Sequence, residues 1–142
     1  MTKRAKVTAR HQAGADHQVV TVTGGRFIHR TTPCDTCPWR KDAVGEFPAE
    51  AFKHSAHTAY DMDQTTFACH STGTRKPATC AGFLLKNSAN NLAVRLHLMK
   101  GDYVHGTVSD GGHELFNSYR EMAEANGVAP DDPVLQRCRA DN

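Results

Sequence analysis

Four of the five cysteines fall in a pattern that suits metal binding. Cys34 and Cys37 form a C-x2-C pair, Cys69 follows after thirty-one residues and Cys80 after ten more. A C-x2-C turn bends around an ion and presents two sulfurs to it. Two thiolates from elsewhere then close a tetrahedron with Zn–S bonds of about 2.3 Å. Tetrahedral sulfur suits either zinc or iron–sulfur chemistry. Zinc is the commoner occupant of small domains and is the expected ion. The single knuckle, with Pro38-Trp39 after it, keeps a [4Fe–4S] protein with a redox-sensing or nucleic-acid-binding role as the alternative. A site filled by four protein ligands is closed, so its expected role is structural and no reaction is assigned.

Neighbouring residues add detail. With Thr79 as N-cap, Cys80 would open a helix, where the positive end of the macrodipole, with Arg75 and Lys76 nearby, favours a thiolate. His70 directly follows Cys69. Adjacent residues rarely face one ion, so His70 is expected to hydrogen-bond a sulfur, with direct ligation as a substitute role. A dithiol oxidoreductase using Cys34 and Cys37 is a further alternative, but no βαβ series surrounds the motif. Cys138, between Arg137 and Arg139, reads as a solvent-facing thiol. His54 and His57, three apart, read as surface histidines. Signatures of zinc proteases, zinc deaminases, P-loops and serine hydrolases are missing.

The elements that must position these cysteines have little apolar material. Leu, Ile, Val and Phe supply 24 of 142 residues, about 17%, where disorder becomes a question below roughly 20%. Net charge is only +2, which argues against a charge-swollen chain. The expectation is a small α+β domain, irregular and stapled by metal, with two or three helices and short strands. Residues 1–17 read as a flexible basic arm, 18–128 as the cysteine domain and 129–142 as a polar acidic tail.

Val19 to Thr23 suggests a strand that turns at Gly24-Gly25 and returns through Arg26 to His29. Pro48 suits the start of a helix ending near Tyr60 or Asp61, with Ala51, Phe52, Ser55, Ala56 and Ala59 inward. Thr65 to Ala68 reads as a strand delivering Cys69 and His70. Ala81, Leu84, Leu85, Ser88, Leu92, Leu96 and Met99 recur at helical spacing and predict one helix over 80–100. Another helix, 113–126, places Leu115, Phe116, Tyr119, Met122 and Ala123 on one side.

Charge is unevenly spread. Residues 1–100 hold 14 Lys or Arg against 7 Asp or Glu, and residues 101–142 hold 3 against 8. The two parts are expected to attract each other across the fold, though Arg4, Lys6, Arg10, Arg75 and Lys76 could contact nucleic acid phosphates. No apolar run is long enough to span a membrane. The basic N-terminus lacks a following apolar stretch, so the expected compartment is the cytoplasm.

Taken together, Cys34-Asp35-Thr36-Cys37-Pro38-Trp39-Arg40, Phe67-Ala68-Cys69-His70 and Cys80-Ala81-Gly82-Phe83 resemble a small uncharacterised four-cysteine family of actinobacteria and their phages. The likeness covers roughly residues 30–130. It implies a shared cluster at Cys34, Cys37, Cys69 and Cys80 and little more; the reading of the chain as an accessory or interaction module with a protein or nucleic-acid partner rests on the structural four-cysteine site.

Overall fold

A computed structural model describes residues 6–12, 18–23, 27–69, 78–104 and 106–139. The described residues hold four short α-helices and one two-stranded sheet: β1 (Lys6–Gln12), β2 (Gln18–Thr23), α1 (Ala49–Ser55), α2 (Ala81–Lys86), α3 (Leu92–Lys100) and α4 (Tyr119–Ala125). The architecture is a small mixed domain, with one more helix than the sequence led us to expect. None of these helices is long and apolar enough to cross a membrane.

The valine-rich strand exists, but its partner differs from expectation. β2 pairs antiparallel with β1, Val22 opposite Val7 and Val20 opposite Arg10. The expected arm therefore contains a strand. The segment around His29 pairs elsewhere: Arg30 N–H donates to Thr79 O at 3.0 Å, and Thr79 N–H donates to Ile28 O at 2.8 Å. On its other side Thr79 bridges Ala68 antiparallel. Three short extended segments thus meet on Thr79, and the extended backbone continues through Cys80 (ψ 132°), so Cys80 and not Thr79 is the N-cap of α2.

Helix α1 starts after Pro48, whose extended ψ of 154° makes it the N-cap, and continues as a 3-10 turn over Ala56–Ala59. Of the expected inner stripe, Phe52, Ala56 and Ala59 are buried, whereas Ala51 and Ser55 are half-buried.

The predicted helix over 80–100 is two helices. The interruption, Asn87-Ser88-Ala89-Asn90-Asn91, is rich in side chains that bond their own backbone and so favour caps over helix interiors. Ser88 Oγ donates to Leu84 O at 2.7 Å. Asn91 caps α3 by accepting from Val94 N–H at 3.0 Å, while its Nδ2 donates to Thr65 O at 2.7 Å. The break redirects the chain, and the expected stripe does not persist. Leu84 and Val94 are buried, whereas Leu96 and Met99 are 45% and 82% exposed. Gly101 ends α3 as expected, at φ +82°.

Helix α4 begins later than expected, at Ser118, whose hydroxyl accepts from Glu121 N–H at 3.1 Å. The preceding residues pair with the cysteine loop instead: Lys41 N–H donates to Glu114 O at 3.0 Å and Phe116 N–H to Trp39 O at 2.9 Å. This pairing buries Leu115 and Phe116 from outside the helix.

The core centres on Trp39, whose ring meets Phe67 and Tyr119 edge-on at 6.2 and 6.0 Å. Tyr119, wholly buried, donates its hydroxyl to Phe52 O at 2.5 Å and lies 2.6 Å from Ser55 Oγ. The last segment returns to this core: Leu135 is fully buried and Tyr60 bridges Cys138. Cys138 is therefore not solvent-facing but 5% exposed. Its neighbours take the outside: Arg137 stacks over the Tyr60 ring at 4.5 Å and Arg139 forms a two-pronged pair with Asp61 at 2.9 and 3.0 Å.

The charge asymmetry is partly used within the chain. Lys41 reaches Glu114 at 3.1 Å and Glu121 at 3.9 Å, and Lys53 reaches Asp132 at 3.5 Å.

Candidate metal centre

The C-x2-C segment is a double turn. Cys37 N–H donates to Cys34 O at 3.1 Å, and Arg40 N–H donates to Cys37 O at 3.0 Å. Pro38 has no N–H to place in this turn and fixes its φ. The Cys34 side chain and the Trp39 backbone both act on the Cys37 sulfur in the direction of its thiolate. Arg40 closes the loop from outside, with Nη1 donating to Cys34 O at 3.2 Å and a two-pronged pair to Asp42 at 2.8 and 2.6 Å.

Cys69 and Cys80 come from the paired segments around Thr79. Cys69 N–H donates to Ala78 O at 2.7 Å, and Cys80 N–H donates to Phe67 O at 2.8 Å. With Ala68 opposite Thr79, Cys69 and Cys80 are diagonal neighbours on one face, which puts their Cα atoms about 7–8 Å apart. Cys80 is the N-cap of α2 rather than its first helical residue, and it makes no side-chain cap bond. Its extended backbone, ψ 132°, lets it belong to the ladder and the helix start together.

What brings the knuckle to α2 is the contact between Trp39 and Gly82. A Cβ on Gly82 would lie 2.5 Å from Trp39 Cβ and 2.7 Å from its Cγ. Only glycine permits this approach. As a result the Cys37 and Cys80 sulfurs, from residues 43 apart, sit 3.5 Å from each other. All four cysteines are buried, from Cys37 at 0% to Cys34 at 7% exposed. No disulfide links any of the five.

The electrostatics of this contact are unfavourable to charge as it stands. The Cys34 hydrogen bond and the Trp39 amide favour a Cys37 thiolate, but the Cys80 sulfur and burial outweigh them and hold its pKa well above the usual 9.0. Two buried sulfurs in contact can both ionise only when a cation compensates them. Four buried thiols of this kind are a donor set that fits a soft or borderline ion. Among the described residues the sulfurs gather as the Cys34–Cys37–Cys80 chain of contacts, with no group of three or more His, Cys, Asp or Glu side chains converging on one point.

Other expected residues are not brought to this place. Lys6 and Arg10 fall in β1, opposite Thr23 and Val20. His70, Arg4, Arg75 and Lys76 lie outside the described residues. His54 pairs with Glu50 at 3.5 Å, and His57 lies 3.0 Å from Thr65 Oγ1 and 3.7 Å from Asp63, so the two histidines serve separate partners. Cys138 contacts Ala56 O and Val134 O, each at 3.8 Å, and burial raises its thiol pKa to about 11.

Sequence reasoning missed Gly82 and Arg40. A glycine inside the apolar run Ala81-Gly82-Phe83 was the available signal, because helix interiors keep glycine at a cost of about 1 kcal/mol relative to alanine.

Fold and site together define a small mixed domain built around buried cysteines. Residues 29–139 match a family of unknown function, DUF6283, and the chain belongs to it. The match spans all five cysteines and leaves β1 and β2 outside. No curated protein and no solved structure matches the chain.

Proposed function

We propose that Cys34, Cys37, Cys69 and Cys80 hold one zinc ion as a structural tetrathiolate site, and that the stapled domain serves as an interaction or accessory module in a reducing, cytoplasmic setting. The observation that carries this reading is the 3.5 Å contact between the Cys37 and Cys80 sulfurs. Tetrahedral Zn–S bonds of about 2.3 Å place ligand sulfurs about 3.8 Å apart, so the two are already near the spacing of one ion's ligands. A [4Fe–4S] cubane binds each cysteine to a different iron and holds the sulfurs farther apart than contact. That spacing ranks the cluster second.

Zinc would supply charge compensation and a cross-link among three chain segments, with no open position for substrate. The residues have matching tasks. The Trp39 amide and the Cys34 turn orient the knuckle, the Thr79 ladder orients Cys69 and Cys80, and Gly82 lets the two halves meet. The dithiol reading is less well supported, because a nucleophilic cysteine needs access and a lowered pKa, whereas Cys37 is fully buried and shifted upward.

The test is native purification without added metal and without oxygen, followed by elemental analysis and a visible spectrum. Colourless protein with equimolar zinc is the expected result. Brown protein containing iron and sulfide would establish the cluster instead. Folded protein lacking both would refute the metal site.

A further inference from the structure

We propose that Tyr60, Met62, Arg95, Arg137 and Arg139 form a binding surface for a single-stranded nucleic acid, with Arg95 and Arg137 taking its phosphates. Three consecutive residues each hold one arginine. Arg137 stacks over the Tyr60 ring at 4.5 Å. Arg139 makes its two-pronged pair with Asp61. Arg95 places Nη1 3.9 Å from the Met62 sulfur and anchors Nε on Ala89 O at 2.9 Å. Distant parts of the chain build this row. Tyr60 pairs with Cys138, which sets Arg137 and Arg139 beside residues 60 and 61. Met62 N–H donates to Asn90 O at 2.7 Å, which brings up the turn before α3. Met62 sits at a left-handed φ of 64°, a conformation that glycine adopts freely and a side chain does not. Its side chain is 49% exposed and lies against Arg95.

All three arginines are exposed. Among the described residues Arg95 and Arg137 rest on neutral groups, a thioether, a carbonyl and a ring, so their charge is held in place without being cancelled by an ion pair. Asp61 is the carboxylate within the row. Arg139 first, and Arg95 after it, hold its carboxyl below the usual carboxylate range. The neighbouring acids are turned to other partners: Asp63 accepts from Thr65 N–H at 2.8 Å, and Asp132 lies 3.5 Å from Lys53. Three guanidinium groups against one carboxylate leave two positive charges. Because Asp61 stands in the middle of the row, one anion cannot sit on all three arginines. The pattern suits a chain of separated phosphates better than a single phosphoryl group. Arg137 adds the preference for unpaired bases. Its inner face rests on Tyr60, whose hydroxyl is tied to Val134 O at 2.7 Å, and a guanidinium plane fixed in this way offers its outer face for a base to stack on. Bases inside a duplex are already stacked. This surface gives a partner to the interaction module proposed above and rests on that part of the reading, not on the zinc.

The test uses the full chain, analysed for zinc first, and a fluorescein-labelled oligothymidylate followed by anisotropy. Two phosphate contacts on a single strand give a slope of log K against log salt of about −1.4, or about sevenfold weaker binding at 200 mM than at 50 mM salt. The double variant R95A/R137A, with its circular dichroism unchanged, should lose most of the binding and of the slope. R137K keeps the charge and loses the plane, so it should keep the slope and bind about fivefold more weakly. D61N frees Arg139 and should bind more tightly, with a slope of about −2.1. The pair it breaks is exposed on both sides and contributes little to folding, so this variant reads the surface in a folded domain. Binding unchanged in R95A/R137A, R137K that binds like the parent, or D61N that does not tighten binding overturns the assignment. So does a duplex of the same length, or a singly phosphorylated peptide, that binds as tightly as the single strand. Zinc-loaded protein that does not bind overturns the surface and leaves the zinc assignment standing. Protein that binds as expected and never held zinc sustains the surface and overturns the zinc.

Discussion

Replacing Gly82 with alanine tests whether one missing side chain sets the meeting of the cysteine loop and α2. The added Cβ would sit 2.5 Å from Trp39 Cβ and 2.7 Å from Cγ, against ordinary carbon contacts of about 3.5–4.0 Å. One partner must therefore move by about 1 Å. Trp39 has no room to do so: it is fully buried, its ring meets Phe67 and Tyr119, and its carbonyl accepts from Phe116. Overpacking of this kind costs about 1–3 kcal/mol, and the intrinsic helix preference for alanine returns about 1. With Trp39 held on every side the upper part of that range, about 2–3 kcal/mol, applies, so a net loss of roughly 1–2 kcal/mol is expected, or about 4–8 °C in Tm at roughly 4 °C per kcal/mol for a domain of this size. The same movement separates Cys37 from Cys80, so metal affinity should fall together with stability. Urea denaturation with and without zinc, alongside a competition titration for zinc, reads both. A variant as stable as the parent, or stabilised as an open helix glycine would be, refutes the argument that this contact positions the site.

Other consequences are equally direct. N91A removes the α3 cap and leaves Thr65 O without its side-chain donor, and should cost about 2–3 kcal/mol by denaturant titration. A strong chelator should unfold the zinc-loaded domain cooperatively by circular dichroism, since the ion's binding energy is folding energy; an unchanged melting transition would count against the staple. Cys138 has a folded-state thiol pKa raised from 9.0 to about 11. The unfolded chain then loses this proton first, and stability should fall as pH climbs from about 9 to 11. C138A should flatten part of that decline while leaving metal content unchanged.

The legibility of this chain varies with how local the determining interaction is. Phe52 on α1, Ala56 and Ala59 in the 3-10 turn that continues it, and Tyr119, Met122 and Ala123 on α4 are buried as periodicity predicts, because local helical geometry decides them. The stripe over 80–100 does not persist because spacing alone ignores Asn87 to Asn91, a run that prefers caps to helix interiors, and because Asn91 is held by Thr65, a residue 26 positions away. Leu115 and Phe116 were assigned to the core correctly but for the wrong reason, since their burial comes from pairing with residues 39–41. β1 has no apolar alternation, so nothing in Lys6 to Gln12 announced it. Cys138 was misplaced because flanking arginines suggested exposure, whereas their pairing with Tyr60 and Asp61 turns the thiol inward. At the cysteines, spacing suggested the quartet, and only the fold reveals the glycine that lets Cys37 and Cys80 touch.

The return of the last segment to the core has a bearing on synthesis. Cys138 follows Cys80 by 58 residues, roughly 3–12 s of translation at 5–20 residues per second. The cysteine loop, the Thr79 ladder and α2 are made before Leu135 and Cys138 arrive to seat against α1 and Tyr60. Ion capture by a nascent chain can thus precede closure of the apolar shell, so that the order of chain emergence favours a pre-loaded centre around which the remainder condenses.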